Sequence, residues 1–426
     1  MGRLTSRRVC RATHAVTTVV CALGLACGGG DAGGGPYARK VRETIPKIER
    51  ATGLTFRTPP RVESQPRDSV RAFLTRRFND DMPAADLSGM ERAYKQFGLI
   101  PRSMDLRQFM LDLLTEQVAG YYDPTAKTLY VVEGDDEAVA GITIAHELVH
   151  ALQDQYFNLD SLQDARDDND RLTAGQAIVE GQATLEQIGA MIGSDNAFTA
   201  MPGGWDRVRQ LIREQQGAMP IFASAPIVIQ ETLLFPYLTG AEFMRRFKQE
   251  MKGQSPFSRM PASTEQMMHP DRYFTSRDDP TTVTLPRPSV GRVVYENNLG
   301  EFETRILLFE YLRDQSSAVR GAAGWDGDRY QLVETARGDA LVWATVWDTS
   351  IDAAEFFDLI DIALIKRYGA VRPGSASQTT RTYAADGRTF LLSLGDVHAR
   401  PVVLFVDVPS GVTPRLVDLG RISVQE

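Results

Sequence analysis

Cysteine is almost absent from this sequence and occurs only near its start. Cys10, Cys21 and Cys27 are its three cysteines, and the rest of the chain contains no thiol. A disulfide framework after residue 27 is therefore excluded, and any metal site there must use histidine, aspartate or glutamate. No later apolar run reaches 18 residues, so we expect no membrane-spanning helix after residue 27.

An excess of basic charge is also missing. The 426 residues contain 47 Lys and Arg against 55 Asp and Glu, which gives a formal net charge of −8. Because phosphate binding needs a concentrated basic surface, nucleic acid is not an expected partner. The glycine patterns of P-loops and dinucleotide-binding folds are absent, as is the G-x-S-x-G motif, so nucleotide binding is not expected. The composition, 43% apolar and 24% charged, is typical of globular proteins, and the length indicates two or three domains.

The first 27 residues contain a targeting pattern. Four arginines without any acid precede an apolar run from Ala15 to Ala26, which is too short to span a bilayer but typical of a signal-peptide core. The run ends directly before Cys27, and the pattern resembles a bacterial lipoprotein signal that is cut before a lipid-carrying cysteine. Gly24 departs from it, because leucine is usual at that position. The resemblance implies removal of residues 1–26, lipidation of Cys27, export and anchoring to the bacterial membrane; plain secretion is the alternative.

The remaining chain predicts an α+β fold with a mainly helical first half. Residues 27–36 read as a glycine-rich tether, and 37–103 as a helix, a short strand at Leu54–Phe56 and two more helices. This segment could be a pro-segment, an accessory domain or the first layer of the core. Residues 104–290 form a predicted domain that is mainly helical, and 291–426 a smaller α+β half with several strands and one helix.

A hairpin is predicted before the most regular helix. Tyr121 to Val132 reads as two strands around an Asp-Pro turn. The second strand, Leu129–Val132, could be an edge strand that pairs with an extended peptide, or it could belong to a core hairpin. Helices are predicted from Glu137 to about Phe157 and from about Thr173 to Ile192.

The sharpest chemical pattern is His146-Glu147-Leu148-Val149-His150 within the first of these helices. Residues four apart point the same way on a helix, so His146 and His150 can offer imidazole nitrogens to one metal ion. Zinc accepts nitrogen and carboxylate ligands, and a catalytic zinc site keeps one position for water. Glu147 can take the proton of that water. A pair of ordinary helix histidines is the alternative interpretation.

A third ligand is needed, and the sequence offers more than one. Gln153 and Tyr156 stand where the metzincin pattern requires glycine and histidine, which excludes that class. Glu180 lies among small and apolar residues that would let another helix approach closely, and a carboxylate there is costly unless it is paired or binds a metal. Glu186 and the aspartates of the loop from Asp160 to Asp170 remain alternatives.

With His146, Glu147, His150 and Glu180, the chain resembles the gluzincins, zinc peptidases with His-Glu-x-x-His on one helix and a glutamate ligand on the next. It is also similar to an uncharacterised group of bacterial exported proteins that share five motifs. These are Tyr122-Asp123-Pro124, His146–Phe157, Glu180–Thr184, Ser263–Pro270 and Gly324–Arg329. The resemblance to the gluzincins implies a zinc-dependent peptidase, whereas the other shared motifs imply only kinship. The interval from His150 to Glu180 is longer than in thermolysin-like proteins.

A donor for the oxyanion is expected opposite the metal, because gluzincins commonly use histidine or tyrosine there. His269 is the leading candidate, since it follows the two predicted zinc helices on a loop, with Tyr273 and Tyr237 as alternatives. A structural histidine that fixes the loop is the other interpretation. We read Gly324–Arg329 as a structural turn before a strand, because it lacks the ligand spacing of a calcium loop.

Together these patterns predict a zinc-dependent peptide hydrolase of the bacterial cell envelope, anchored by lipid and acting on a peptide or protein. Zinc would be held by His146, His150 and Glu180, with Glu147 as general base and His269 supporting the oxyanion. The rival hypothesis is a non-catalytic envelope lipoprotein, a binding or scaffold module on a zincin-like fold.

Overall fold

A computed structural model describes residues 37–134, 136–192, 204–369 and 372–425. Within these ranges the protein is α+β, as the sequence predicts, and most strands lie in the C-terminal part. The predicted signal, Cys27 and the tether lie outside the described residues. In the part of the chain that the structure describes, every helix is too short or too polar to cross a membrane.

The chain forms two compact units, each built from separate stretches of sequence. Among the described residues, the first unit consists of those within 37–83, 111–164 and 186–207, and the second of those within 84–110, 165–185 and 208–425. The domain boundaries predicted after residues 103 and 290 stay predictions.

The N-terminal part alternates helices with short strands. In chain order its elements are α1 (Ala38–Thr52), β1 (Arg61–Gln65), α2 (Arg67–Asp81), α3 (Ala84–Phe97), α4 (Leu106–Gln117), β2 (Gly120–Asp123) and β3 (Thr128–Val132). The predicted order of helix, strand and two helices is confirmed.

The position predicted for the first strand is wrong. Leu54–Phe56 is not a strand, because local side chains take its backbone donors: the Leu54 amide donates to Thr52 Oγ1 at 3.2 Å and the Phe56 amide to Glu49 Oε1 at 2.9 Å. The strand forms instead at Arg61–Gln65, where it pairs in parallel with β3.

The predicted hairpin is confirmed, but its second strand is not an edge. β2 and β3 pair antiparallel, and Asp123 Oδ1 fixes the turn by accepting from the Thr125 amide at 2.8 Å. The strand order is β1-β3-β2, so β3 is bonded on both sides. The edge-strand hypothesis for Leu129–Val132 is therefore wrong, because β1 occupies the side on which a peptide would pair.

Two long helices follow. α5 (Glu137–Tyr156) lies where the sequence predicts it, whereas α6 (Asn169–Ile192) begins four residues earlier than predicted. The early start has a local cause, since Asp168 Oδ1 accepts from the Arg171 amide at 3.1 Å and so satisfies a donor of the first turn. Part of the aspartate-rich loop between the helices is a 3-10 helix, Leu159–Ala165.

The next helices are α7 (Gly204–Gly217), α8 (Pro220–Ser224), α9 (Ile227–Glu250), α10 (Thr264–Met268) and α11 (Asp271–Phe274). The break predicted near Pro220 is confirmed, because Pro220 occupies the start of α8, where its missing N–H has no cost. The break predicted near Pro202 lies outside the described residues.

The C-terminal part contains a seven-stranded antiparallel sheet. Its elements are β5 (Arg292–Asn297), α12 (Gly300–Leu312), α13 (Gln315–Ala322), β6 (Trp325–Thr335), β7 (Gly338–Trp347), α14 (Ser350–Tyr368), β8 (Arg372–Ala376), β9 (Thr380–Ala385), β10 (Arg388–Val397) and β11 (Arg400–Pro409). The strand order is β5-β6-β7-β11-β10-β9-β8. A separate pair is formed by β4 (Thr282–Thr284) and β12 (Ser423–Gln425).

Apolar residues on one side of this sheet form a large core, which includes Val342, Val346, Leu404 and Val406. The strands and helix predicted after residue 330 are confirmed. The turn predicted at Gly324–Arg329 is wrong in extent, because β6 already begins at Trp325 and only a bulge interrupts its pairing with β7.

Candidate metal centre

α5 carries both histidines of the HELVH motif, and its sequence explains why it is helical. Asp136 caps its start by accepting from the Ala138 amide at 2.7 Å. The predicted apolar stripe, Ile142, Ala145, Val149 and Leu152, is buried. The helix is buried on its histidine side too, since His146 and His150 are each 1% exposed.

α6 carries Glu180 at a point of close helix contact. A Cβ built on Gly181 would lie 2.2 Å from the carbonyl carbon of Gly240 in α9, so neither glycine leaves room for a side chain. Ala177 and Ala183 of the same helix are fully buried. The expectation that small residues around Glu180 let another helix approach is thus confirmed, and the partner helix is α9.

His146, His150 and Glu180 form a group that could hold a metal ion. One ligand atom from each lies within 4.8 Å of the others, and all three residues are buried. The nitrogen and carboxylate donors match those of zinc sites. Glu186, the alternative third ligand, is also buried but is six residues further along α6, roughly 120° around the helix from Glu180.

Each histidine of this group has an amide oxygen on its Nδ1 atom. Gln187 Oε1 lies 2.8 Å from His146 Nδ1, and Gln153 Oε1 lies 2.8 Å from His150 Nδ1. An amide oxygen can only accept, so Nδ1 carries the proton in both rings and Nε2 presents a lone pair. This tautomer allows each ring to bind a metal ion through Nε2, and hydrogen-bond partners on the other nitrogen are known to orient histidines at metal sites.

These two glutamines are residues that the sequence analysis missed as part of the site. Gln153 follows His150 by three positions, so both lie on one face of α5. Gln187 follows Glu180 by seven positions, which returns to the same face of α6 after two turns. The spacing was a usable signal, whereas the contact with His146 depends on how the chain folds.

Glu147 is the predicted general base. It is fully buried and lies directly after His146 on α5. The structure thus keeps the carboxylate on the turn of α5 that carries the candidate metal ligands and out of bulk water.

His269 ends α10 and binds a carboxylate. Its Nε2 lies 2.8 Å from Glu301 Oε1, and this hydrogen bond raises the pKa of His269. Its ring is partly exposed, unlike those of His146 and His150. Tyr273 donates its hydroxyl to the carbonyl of Arg259 at 2.6 Å, and Tyr237 is buried in α9. The assignment of His269 as oxyanion donor stays a prediction.

The motif around Ser263–Pro270 fixes the start of α6. Asp170 is buried in the first turn of that helix and accepts from the Thr264 amide at 3.1 Å and from the Thr264 hydroxyl. Burial raises the pKa of Asp170 well above its usual range. The contact ties the helix that carries Glu180 to α10.

The motif Gly324–Arg329 is structural, as expected from its sequence. The buried Asp328 carboxylate accepts four N–H groups: those of Leu299 and Gly300 at 2.9 Å each, and the indoles of Trp343 at 2.8 Å and Trp325 at 3.1 Å. Burial raises the pKa of Asp328 to about 6. The motif therefore anchors the start of α12 to the sheet.

The fold and this group define an α+β protein with a candidate metal centre of two histidines and one glutamate. A family model described as a domain of unknown function (DUF8575) matches residues 272–407. The matched segment runs from α11 to β11 and does not include His146, His150 or Glu180. No curated protein and no solved structure matches the chain.

Proposed function

We propose that this protein is a zinc-dependent peptide-bond hydrolase, exported and anchored by lipid in the bacterial cell envelope. The observation that carries the proposal is the buried group of His146, His150 and Glu180, with one ligand atom of each within 4.8 Å of the others. Export and the anchor rest on the resemblance of residues 1–27 to a lipoprotein signal.

The donor set fits zinc because both imidazoles are held in one tautomer by amide oxygens and the third donor is a carboxylate. His146 and His150 would bind the ion through Nε2, and Glu180 through a carboxylate oxygen. A zinc ion bound by such ligands supplies Lewis acidity, which makes water nucleophilic near neutral pH.

Glu147 would act as the proton carrier. Its carboxylate would take a proton from the attacking water and return it to the nitrogen of the leaving amine, so one group serves as base and then as acid. Its place beside His146 on the same turn supports this role.

His269 would stabilise the developing oxyanion as a cation. Glu301 accepts from Nε2 and favours the protonated ring, which leaves the Nδ1 hydrogen as a donor.

The first experiment is zinc content per chain, measured on the purified full chain and on two matched variants. Glu180→Ala should lose most of its zinc, whereas Glu186→Ala, which removes a buried glutamate from the same helix, should keep one zinc per chain like the parent. A parent that binds no zinc when zinc is added back would contradict the proposal, and so would equal zinc in both variants.

The second measurement is cleavage of a quenched fluorescent peptide library by the zinc-loaded chain. Glu147→Gln should keep one zinc and lose cleavage by at least about a hundredfold, the usual contribution of a general base. A Glu147→Gln variant with full activity would exclude Glu147 as the general base.

One observation favours the non-catalytic alternative. Both histidines are only 1% exposed and Glu147 is fully buried, so little of the group contacts the solvent from which water and substrate would enter. A parent that holds one zinc but cleaves no member of the library would support a binding or scaffold module.

A further inference from the structure

A cavity of about 730 Å³ lies wholly within the second compact unit, and its lining does not include His146, His150 or Glu180. Side chains of α7, α9, α10 and α12 line it. Its size is that of small-molecule pockets, which measure roughly 300–1,000 Å³.

Part of the wall of this cavity is apolar. Phe235 and Leu238 of α9, Met267 of α10, and Phe302 and Ile306 of α12 all line it. Each of these side chains is otherwise buried, at most 7% exposed. This apolar wall can accommodate a hydrocarbon chain, and it offers no donor or acceptor for peptide groups.

Arginines dominate the polar part of the wall. Five arginines and only two acids line the cavity. The arginines are Arg209, Arg213, Arg245, Arg246 and Arg305, and the acids are Glu231 and Glu242. Three of the five arginines are paired. Their partners are Glu242 for Arg209 at 3.1 Å, Glu231 for Arg213 at 2.8 Å, and Glu250 and Asp271 for Arg246 at 2.6 and 2.7 Å.

Arg245 and Arg305 differ from the other three. Neither forms an ion pair with any residue in the described ranges, and the Nε of Arg245 is buried without a hydrogen-bond partner among them. A buried donor without an acceptor is costly, and an anion in the cavity would remove that cost. The cavity thus combines two uncompensated positive charges with a hydrocarbon-like surface.

We propose that this cavity binds an amphipathic anion, a carboxylate or phosphate head group on an aliphatic chain. Arg245 and Arg305 hold the head group, since guanidinium groups bind carboxylates and phosphates through paired N–H donors. The chain lies against Phe235, Phe302 and Ile306.

The test uses the purified full chain and a fluorescent fatty acid, 11-(dansylamino)undecanoate, with its methyl ester as the uncharged match. The acid should bind at least tenfold more tightly than the ester. Arg245→Gln combined with Arg305→Gln should weaken binding of the acid by at least tenfold and leave binding of the ester unchanged. Arg320→Gln, which removes an exposed arginine of α13 outside the cavity, should bind like the parent.

Equal binding of the acid and the ester, or a double variant that binds the acid like the parent, would overturn the proposal. Both arginines are partly exposed, and circular dichroism of the double variant checks that it is folded. Arg245→Lys combined with Arg305→Lys keeps the charge and should restore part of the affinity. Competition by dodecanoate and by dodecyl phosphate then assigns the head group, and failure of both to compete would contradict an amphipathic anion.

Discussion

The histidines of α5 and the buried acids around α12 show two different ways of holding a polar side chain out of water. His146 and His150 face neutral amide oxygens, which fix the ring tautomer. Around α12 the buried groups are carboxylates, and burial raises the pKa of Glu303 to about 7 and of Glu265 to about 10.

The two kinds of buried polar group have different consequences. Neutral partners leave Nε2 of each α5 histidine ready to bind a cation at any pH at which the ring is neutral. The buried carboxyl groups accept hydrogen bonds from backbone and side-chain donors and so connect elements of the fold. Glu303, for example, accepts from Tyr94 at 2.7 Å and from Asn169 at 3.0 Å. The first arrangement suits ligand binding and the second suits architecture.

The largest expected effect concerns the pH dependence of stability. Folded Glu303 keeps its proton to about pH 7, whereas in the unfolded chain it ionises near its ordinary pKa of 4.5. The folded state therefore binds more protons across this window, and stability falls as pH rises through it. The loss is about 3 kcal/mol for this group when complete, and Asp328, with a pKa of about 6, adds to it.

Urea unfolding at several pH values, followed by tryptophan fluorescence, measures this effect. Trp325, Trp343 and Trp347 are buried in β6 and β7 and report on the second unit. Glu303→Gln should show a weaker loss of stability between about pH 5 and 7.5 than the parent. Parallel curves would show that Glu303 does not hold a proton in the folded state.

The next effect tests the amide partners. Gln187→Leu removes the acceptor of His146 Nδ1 and should weaken zinc binding about 10- to 100-fold, as loss of an outer partner usually does. The matched control is Gln331→Leu, because Gln331 is also buried but donates to Glu296 at 3.0 Å. Zinc titration with a competing chelator measures both, and an unchanged affinity for Gln187→Leu would show that the amide does not orient the ring.

The smallest expected effect concerns Glu301, the carboxylate partner of His269. Glu301→Gln replaces the carboxylate at His269 by an amide, so the pKa of His269 should fall from its raised value toward the ordinary one. Zinc content should stay at the parental value. Ring-proton NMR against pH measures the shift, and an unchanged pKa would show that Glu301 does not favour the charged ring.

Local patterns were sufficient to predict α5, the hairpin and most of the C-terminal strands. The apolar stripe of α5 and the Asp-Pro turn each encode their structure within a few residues. β1 was misplaced because Arg61–Gln65 has no strong local signal and becomes a strand by pairing with β3. The edge-strand hypothesis for β3 was wrong for the same reason, because its pairing with β1 joins two segments that are far apart in the sequence.

The candidate site likewise contains residues that a local pattern predicts and contacts that only the fold creates. His146, Glu147 and His150 were predicted from spacing within one helix, and Glu180 from its setting among small residues. The contact of Gln187 with His146 joins residues 41 positions apart. The role of Asp170 likewise depends on Thr264, which is 94 positions away. Neither contact is visible in a local pattern.

The contact between Gly181 and Gly240 has a consequence for finding related proteins. A His-Glu-x-x-His pattern arises by chance in many sequences, so it is a poor search term alone. A chain that replaced either glycine would have to shift α6 or α9, and α6 carries Glu180, the candidate third ligand. Since glycine makes up roughly 7% of residues, requiring it directly after that ligand removes about thirteen of every fourteen accidental matches.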